Sequence, residues 1–291
     1  MRWPAVLLLA AAAPPATLFS VAAKHRLVEG IASDGRTVWV SSVIDRTIVA
    51  HRADGDRVIR LPKGVANPLG LAWDARRHWL WMATDCPELP GIDRCESGAL
   101  VAIDTRGKLR ATVRPAAALH SGDVSVGGGD VFVSDSRNGA VYRLRPGGRS
   151  LETLVPPGIG RSAQGSALDP AGKRLIVADY AQGLFAVDLD SRRRTPLLED
   201  GRPLRALDGL IRVGDQYFAA YNGARPGKVI RFRLRGDAVA DATVIDASLP
   251  EPTQLAGYRG WLLVVADAGW EEAAKPDAGK RTAAPIVSLP L

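Results

Sequence analysis

The chain is poor in cysteine, in aromatics and in recognisable nucleotide or nucleophile motifs, and each shortage removes a class of protein. Only 2 of its 291 residues are Cys, too few for a disulfide-dense scaffold or a cysteine-rich zinc fold. They stand nine positions apart in DCPELPGIDRC, without the C-x-x-C spacing of a redox site. In an exported chain, Cys86 and Cys95 are the natural partners for one disulfide bracing an irregular loop. Aromatic residues make up 6% and are not interleaved with a basic stripe, so an excess of 38 Lys and Arg over 31 Asp and Glu does not point to nucleic acid. The densest run, Arg192-Arg193-Arg194, reads as a solvated turn. GRSAQGS lacks the G-x-S-x-G order of a nucleophile elbow. Gly127-Gly128-Gly129 precedes a strand-like run instead of opening a helix, so it is not a phosphate loop.

A long apolar run occurs only at the start. Met1–Ala23 has Arg2, an apolar stretch through Ala13, and the small residues Val21 and Ala23 ahead of Lys24. This predicts an export signal cut after Ala23, leaving residues 24–291 as one domain in the periplasm or outside the cell. Pro14 and Pro15 break the run short of the roughly 20 residues a spanning helix needs, so no transmembrane segment is expected.

What the chain does contain is turn chemistry and a repeat. Gly 30 and Pro 20, in a chain 46% apolar and 24% charged, describe a core-forming protein of many short strands, the glycine surplus marking its turns. Six units recur, beginning EGIASDGRTVWVSSV, LGLAWDARRHWLWMATD, SGDVSVGGGDVFVSDS, QGSALDPAGKRLIVADY, DGLIRVGDQYFAAYN and TQLAGYRGWLLVVAD, each followed by a further β-rich run. Gly30, Gly70, Gly122, Gly165 and Gly209, with Gln254 in the glycine place of the last unit, are spaced by 40, 52, 43, 44 and 45 residues. The long interval contains the cysteine loop. Units of about 45 residues are four-stranded propeller blades, so the sequence predicts an all-β, six-bladed propeller. The last unit ends at a third strand, APIVSLPL, and KHRLVE ahead of the first unit is the expected outer strand that closes the ring. Arg114–Leu119 carries a hint of a helical turn, and 268–284 reads as a rim loop inside the last blade.

The innermost strand of each blade faces the central channel, and the residue ahead of its glycine stands near one mouth. That column reads Glu29, Leu69, Ser121 with His120 before it, Gln164, Asp208 and Thr253. Carboxylates facing across a narrow channel repel unless neutralised, which a divalent cation held by Glu29, Gln164 and Asp208, with a nitrogen from His120, would do. Trapped water hydrogen-bonded to these groups is the alternative. Asp179, Tyr180, Asn222, Asp267 and Trp270 follow second strands close to the same face. Trp39, Trp79, Trp81 and Trp261 read as packing between blades.

Glu29-Gly30, His120-Ser-Gly-Asp, Gln164-Gly165 and, above all, LDGLIRVGDQYFAAYNGARPGKVIRF resemble the senescence-marker-protein and gluconolactonase (regucalcin-like) family over nearly the whole chain beyond the signal. The resemblance implies one divalent metal, calcium or zinc, on Glu29, Gln164 and Asp208, with Gln164 standing where the family has Asn and His120 where it has a substrate-contacting Asn. It implies hydrolysis of a lactone or related sugar-derived ester, with Asp208 and His120 as catalytic groups and His120, Asn222, Tyr180 and Thr253 around the substrate. A non-catalytic exported propeller that binds a protein or carbohydrate partner is the competing expectation.

Overall fold

The computed structural model describes residues 16–275 and 283–291. Short β-branched runs separated by turns pair in sequence order, outward from the middle, into six sheets. The innermost strands are Val28–Ser33, Asn67–Asp74, Ser121–Gly127, Ala163–Leu168, Leu207–Val213 and Leu255–Tyr258. Each touches the next, and the sixth touches the first, so the sheets form a closed six-bladed propeller. Apolar residues of the middle strands fill the spaces between neighbouring blades: Trp39 and Leu80 pack between blades 1 and 2, Phe132 and Val177 between blades 3 and 4. This is sheet-on-sheet burial repeated around a ring.

The strand that closes the ring lies upstream of the expected one. Ala16–Val21 pairs antiparallel with Ala284–Pro290 as the outer strand of blade 6, while Lys24–Leu27 is turn and loop. Alternating Thr17, Phe19 and Val21 have the β character that KHR lacks, and Phe19 stacks on His51 of blade 1 at 3.7 Å. A cut after Ala23 would remove this strand. The remainder of the expected signal, residues 1–15, lies outside the described residues.

Three further differences are local. Blade 5 is six-stranded, because the hairpin Leu198–Glu199 and Arg202–Pro203 adds to its outer strand Ala238–Leu249. Arg114–Leu119 forms no helix; the one helical turn among the described residues is Trp270–Ala273, in the predicted rim loop. Trp261, at the start of the second strand of blade 6, is 48% exposed, not packed between blades. No described helix is long and apolar enough to cross a membrane. Cys86 and Cys95 form a disulfide with Cα atoms 5.7 Å apart.

Candidate active site at one mouth of the channel

Innermost strands carry the same irregularity at the same height. Pairing with the second strand skips two residues between Val28 and Ile31, Pro68 and Leu71, Ser121 and Val124, Ala163 and Ser166, and Leu207 and Leu210. Such a bulge re-aims side chains that simple alternation would send between the blades. Its first residues are Glu29, Leu69, Gly122, Gln164 and Asp208; its second residues are Gly30, Gly70, Asp123, Gly165 and Gly209. Thr253 and Gln254 hold the corresponding places in blade 6, ahead of Leu255.

In blades 1, 4 and 5 glycine is required in the second place by space. A Cβ on Gly30 would lie 2.2 Å from the Leu69 carbonyl oxygen, one on Gly165 2.2 Å from the Leu210 nitrogen, and one on Gly209 2.4 Å from the Thr253 carbonyl oxygen. Glycines with positive φ do mark turns elsewhere in the chain, but the anchors of the repeat mark contacts between blade backbones.

The first place opens on a cavity of about 450 Å³ whose lining includes Glu29, Gln164, Tyr180, Asp208, Asn222 and Trp270. With Leu69 and Ser121, which also line it, eight of the expected residues therefore meet. His120 does not line it. Blade 3 enters its bulge one residue later than the glycine spacing implies, so Gly122 occupies the column and His120 stands before it. Its Nδ1 lies 3.4 Å from Asp85 Oδ2, and its backbone N–H donates to Asp135. Thr253 is fully buried, and its hydroxyl donates to the Glu29 carbonyl at 3.1 Å, so it braces the Glu29 strand from behind. Asp179 accepts backbone N–H groups from Arg161, Ser162, Ala181 and Gln182, a turn-capping role.

Asp85, Arg137 and Glu251 also line the cavity and were not in the predicted set. Asp85 had a readable signal. Asp135 and Asp179 end the second strands of their blades and cap the turn that follows; Asp85 ends the equivalent strand but leads into the cysteine loop. Glu251 accepts from the Gly269 and Trp270 backbone N–H groups and pairs with Arg225 at 2.6 Å, fixing the helical turn that carries Trp270. The Trp270 indole in turn donates to Glu29 Oε2 at 2.6 Å.

Burial dominates the electrostatics. It pushes the Glu29 carboxyl well above its usual range, with the Asp208 charge adding to the shift and the Trp270 hydrogen bond opposing it. Asp208 is pushed up to about 7 by burial, against the Asn222 amide that donates to its Oδ2 at 2.9 Å. Tyr180 is raised by burial and by the charge of Asp208, so its phenol stays protonated near neutral pH. Two desolvated carboxyls with no cationic side chain bonded to them form a site that gains from a cation.

The donors facing the cavity suit a hard ion. Asn222 Oδ1 is buried without a hydrogen-bond partner, and Gln164 commits its Nε2 to Ser162 Oγ at 3.2 Å, leaving its carbonyl for other contacts. Carboxylate and amide oxygens fit a calcium-class ion better than zinc, and His120, the expected nitrogen, stands behind Asp85 and not among the lining side chains. Among the described residues no three His, Cys, Asp or Glu side chains converge as ligands, so the set relies on amide oxygens beside Glu29 and Asp208.

Neither a family model nor a curated protein matches the chain. Solved structures do match in fold. A gluconolactonase from Xanthomonas campestris has 17% sequence identity over 94% of this chain and 89% of its own, with a TM-score of 0.66. Regucalcin from Agrobacterium tumefaciens, described as a calcium-binding protein, has 18% identity over 96% and 93%, with a TM-score of 0.65. A PQQ-bound aldose sugar dehydrogenase from Streptomyces coelicolor has 17% identity over 95% and 98%, with a TM-score of 0.62. The chain is thus a propeller like those of gluconolactonase and regucalcin.

Proposed function

We propose that the protein is an exported hydrolase that opens a sugar-derived lactone at the Glu29–Asp208 mouth, with a divalent cation of the calcium class as cofactor. The observation that carries this reading is the pair of buried, uncompensated carboxyls, Glu29 and Asp208, beside the orphan oxygen of Asn222 in a cavity of small-molecule size. The disulfide is consistent with export.

Glu29, Asp208, Gln164 and Asn222 would hold the ion, which when bound polarises a lactone carbonyl as a Lewis acid. Asp208, at the edge of the ion site, takes a proton from the water that attacks the carbonyl carbon. The tetrahedral adduct collapses with cleavage of the ring C–O bond, and the departing oxygen receives that proton back, giving a hydroxy acid. Tyr180 supplies a neutral O–H donor to a substrate oxygen. The hydrogen bond from Trp270 holds Glu29 in one orientation. His120 is assigned a positioning role, through Asp85 on the cavity wall.

Hydrolysis of a panel of aldonolactones and aliphatic lactones, followed by acid release with calcium, magnesium or zinc supplied in turn, tests the proposal. Turnover above the uncatalysed rate, reduced by about 10³-fold or more in Asp208→Asn, is expected. No turnover with any ion in the folded protein overturns it.

A further inference from the structure

The second place of the bulge faces the other end of the channel, and there the six blades are not alike. Blades 1, 2, 4 and 5 carry glycine; blade 3 carries Asp123 and blade 6 carries Gln254. Blades 3 and 6 are opposite one another in a ring of six. Both side chains reach a second cavity of about 370 Å³, lined by all six innermost strands beyond the bulge. We propose that this opposite mouth is a second binding site, for a neutral polyhydroxylated ligand of hexose or hexitol size.

Unmet hydrogen bonds point to the ligand. Asp123 is 5% exposed and Gln254 4% exposed; the Gln254 amide approaches the Asp123 carboxyl and lowers its pKa while the Asp208 charge raises it, yet neither Asp123 Oδ1 nor Gln254 Nε2 has a partner at full hydrogen-bond geometry. A buried acceptor and a buried donor left without a full complement of hydrogen bonds are destabilising until a ligand supplies them. A hydroxyl answers both, donating to Asp123 Oδ1 while accepting from Gln254 Nε2. A bare cation would answer only the carboxyl and would be repelled by the amide N–H₂.

Three other features are built around that pair. Gly70 leaves room for the carboxyl: a Cβ there would lie 2.0 Å from Asp123 Oδ1. On the wall, the hydroxyls of Ser125 and Ser166 meet at 2.7 Å. Trp73 lines the cavity and is held by stacking on Trp39 with centroids 4.8 Å apart, offering an aromatic surface to the C–H side of a sugar ring. The volume lies within the range of small-molecule pockets. This inference is independent of lactone chemistry at the first mouth.

Calorimetric titration of the full protein with sorbitol and with glucose, at about pH 8 where Asp123 is ionised, tests it. Sorbitol has no ester or lactone bond, so binding is read apart from turnover. One saturable site is expected, retained in Asp208→Asn and weakened about ten-fold or more in both Asp123→Asn and Gln254→Met, with the folded state of each variant verified by thermal melting. Three results overturn the proposal: no saturable binding of either polyol to the wild type; binding lost in Asp208→Asn but indifferent to Asp123→Asn; or calcium or potassium, and no polyol, binding in a manner that depends on Asp123.

Discussion

One channel has two mouths, and the bulge at its waist supplies each with one row of side chains. The first row is chemically crowded: Glu29, Gln164 and Asp208 point to one end and are joined by Asn222 and Trp270 from loops. The second row is mostly empty, with glycine in four blades and Asp123 and Gln254 in the other two. In the first row like charges stand together without compensation. In the second, a single carboxyl occupies space that a neighbouring glycine leaves. A repeat of the backbone thus delivers charge at one end and a donor–acceptor pair at the other, and single substitutions can tell the two rows apart.

The largest effect is expected where the rows touch neighbouring blades. Gly70→Ala places a methyl 2.0 Å from Asp123 Oδ1 and 2.9 Å from its Cα, so something must shift. Overpacking of this kind costs about 1–3 kcal/mol. The companion Asp123→Gly restores to blade 3 the glycine seen in four other blades and should recover the part of that loss due to the carboxyl, though not the contact with the Cα, giving non-additivity in a denaturation cycle. Gly257→Ala, whose Cβ would meet nothing closer than Val213 Cγ2 at 4.0 Å, is the control and should change stability little. Additive losses in Gly70→Ala and Asp123→Gly would show that the two residues do not share one space.

First-row charge should have the opposite sign of effect. The folded-state pKa of Asp208 is raised to about 7 from an unfolded value near 4. Between those values the folded state holds a proton that the unfolded state releases, so stability falls as pH rises through this window and levels off above it. Asp123, also pushed up to about 7, acts in the same direction. Asp208→Asn should therefore stabilise the metal-free protein at about pH 8 by roughly 1–3 kcal/mol, with the difference vanishing near pH 4. Melting curves of both proteins across that range, in chelator, measure it. An equal or lower melting temperature for Asp208→Asn at pH about 8 would mean that the carboxyl is already compensated.

The comparison also explains what the sequence could and could not disclose. The blades were legible because glycine is forced at close contacts between innermost strands at Gly30, Gly122, Gly165 and Gly209, and that constraint repeats. Glu29, Gln164 and Asp208 were legible because they precede those glycines. Blade 3 misled because its bulge holds Gly122 and Asp123 in reverse order, so that counting from the glycine moved the column by one residue and brought His120 forward. Asp123 and Gln254 stood in the place of an expected glycine, and no chemical signature in the sequence distinguished a second row. Closure by an N-terminal strand was readable; its identity was not, because ATLFSV serves equally as an apolar stretch of an export signal and as a β-strand. Glu251 and Arg137 come from connections outside the innermost strands, where the repeat sets no spacing.

The smallest predicted effect concerns the indole that ties a loop to the first row. Trp270 Nε1 donates to Glu29 Oε2 at 2.6 Å and opposes the rise in the Glu29 pKa caused by burial and by Asp208. Trp270→Phe keeps a planar ring but removes the donor, leaving Glu29 harder to ionise. A hydrogen bond to a charged group contributes about 1.5–3 kcal/mol, part of which is recovered because Glu29 can remain protonated. Calcium affinity should fall by several fold, and the pH at which binding reaches half its maximum should move upward, while the Asp123→Asn polyol comparison is unaffected by the indole. Calorimetric calcium titrations of wild type and Trp270→Phe between about pH 5 and pH 8 give both readings. An unchanged midpoint would remove Glu29 from the ion's ligands and leave Asp208 and the amides as the first row's contribution.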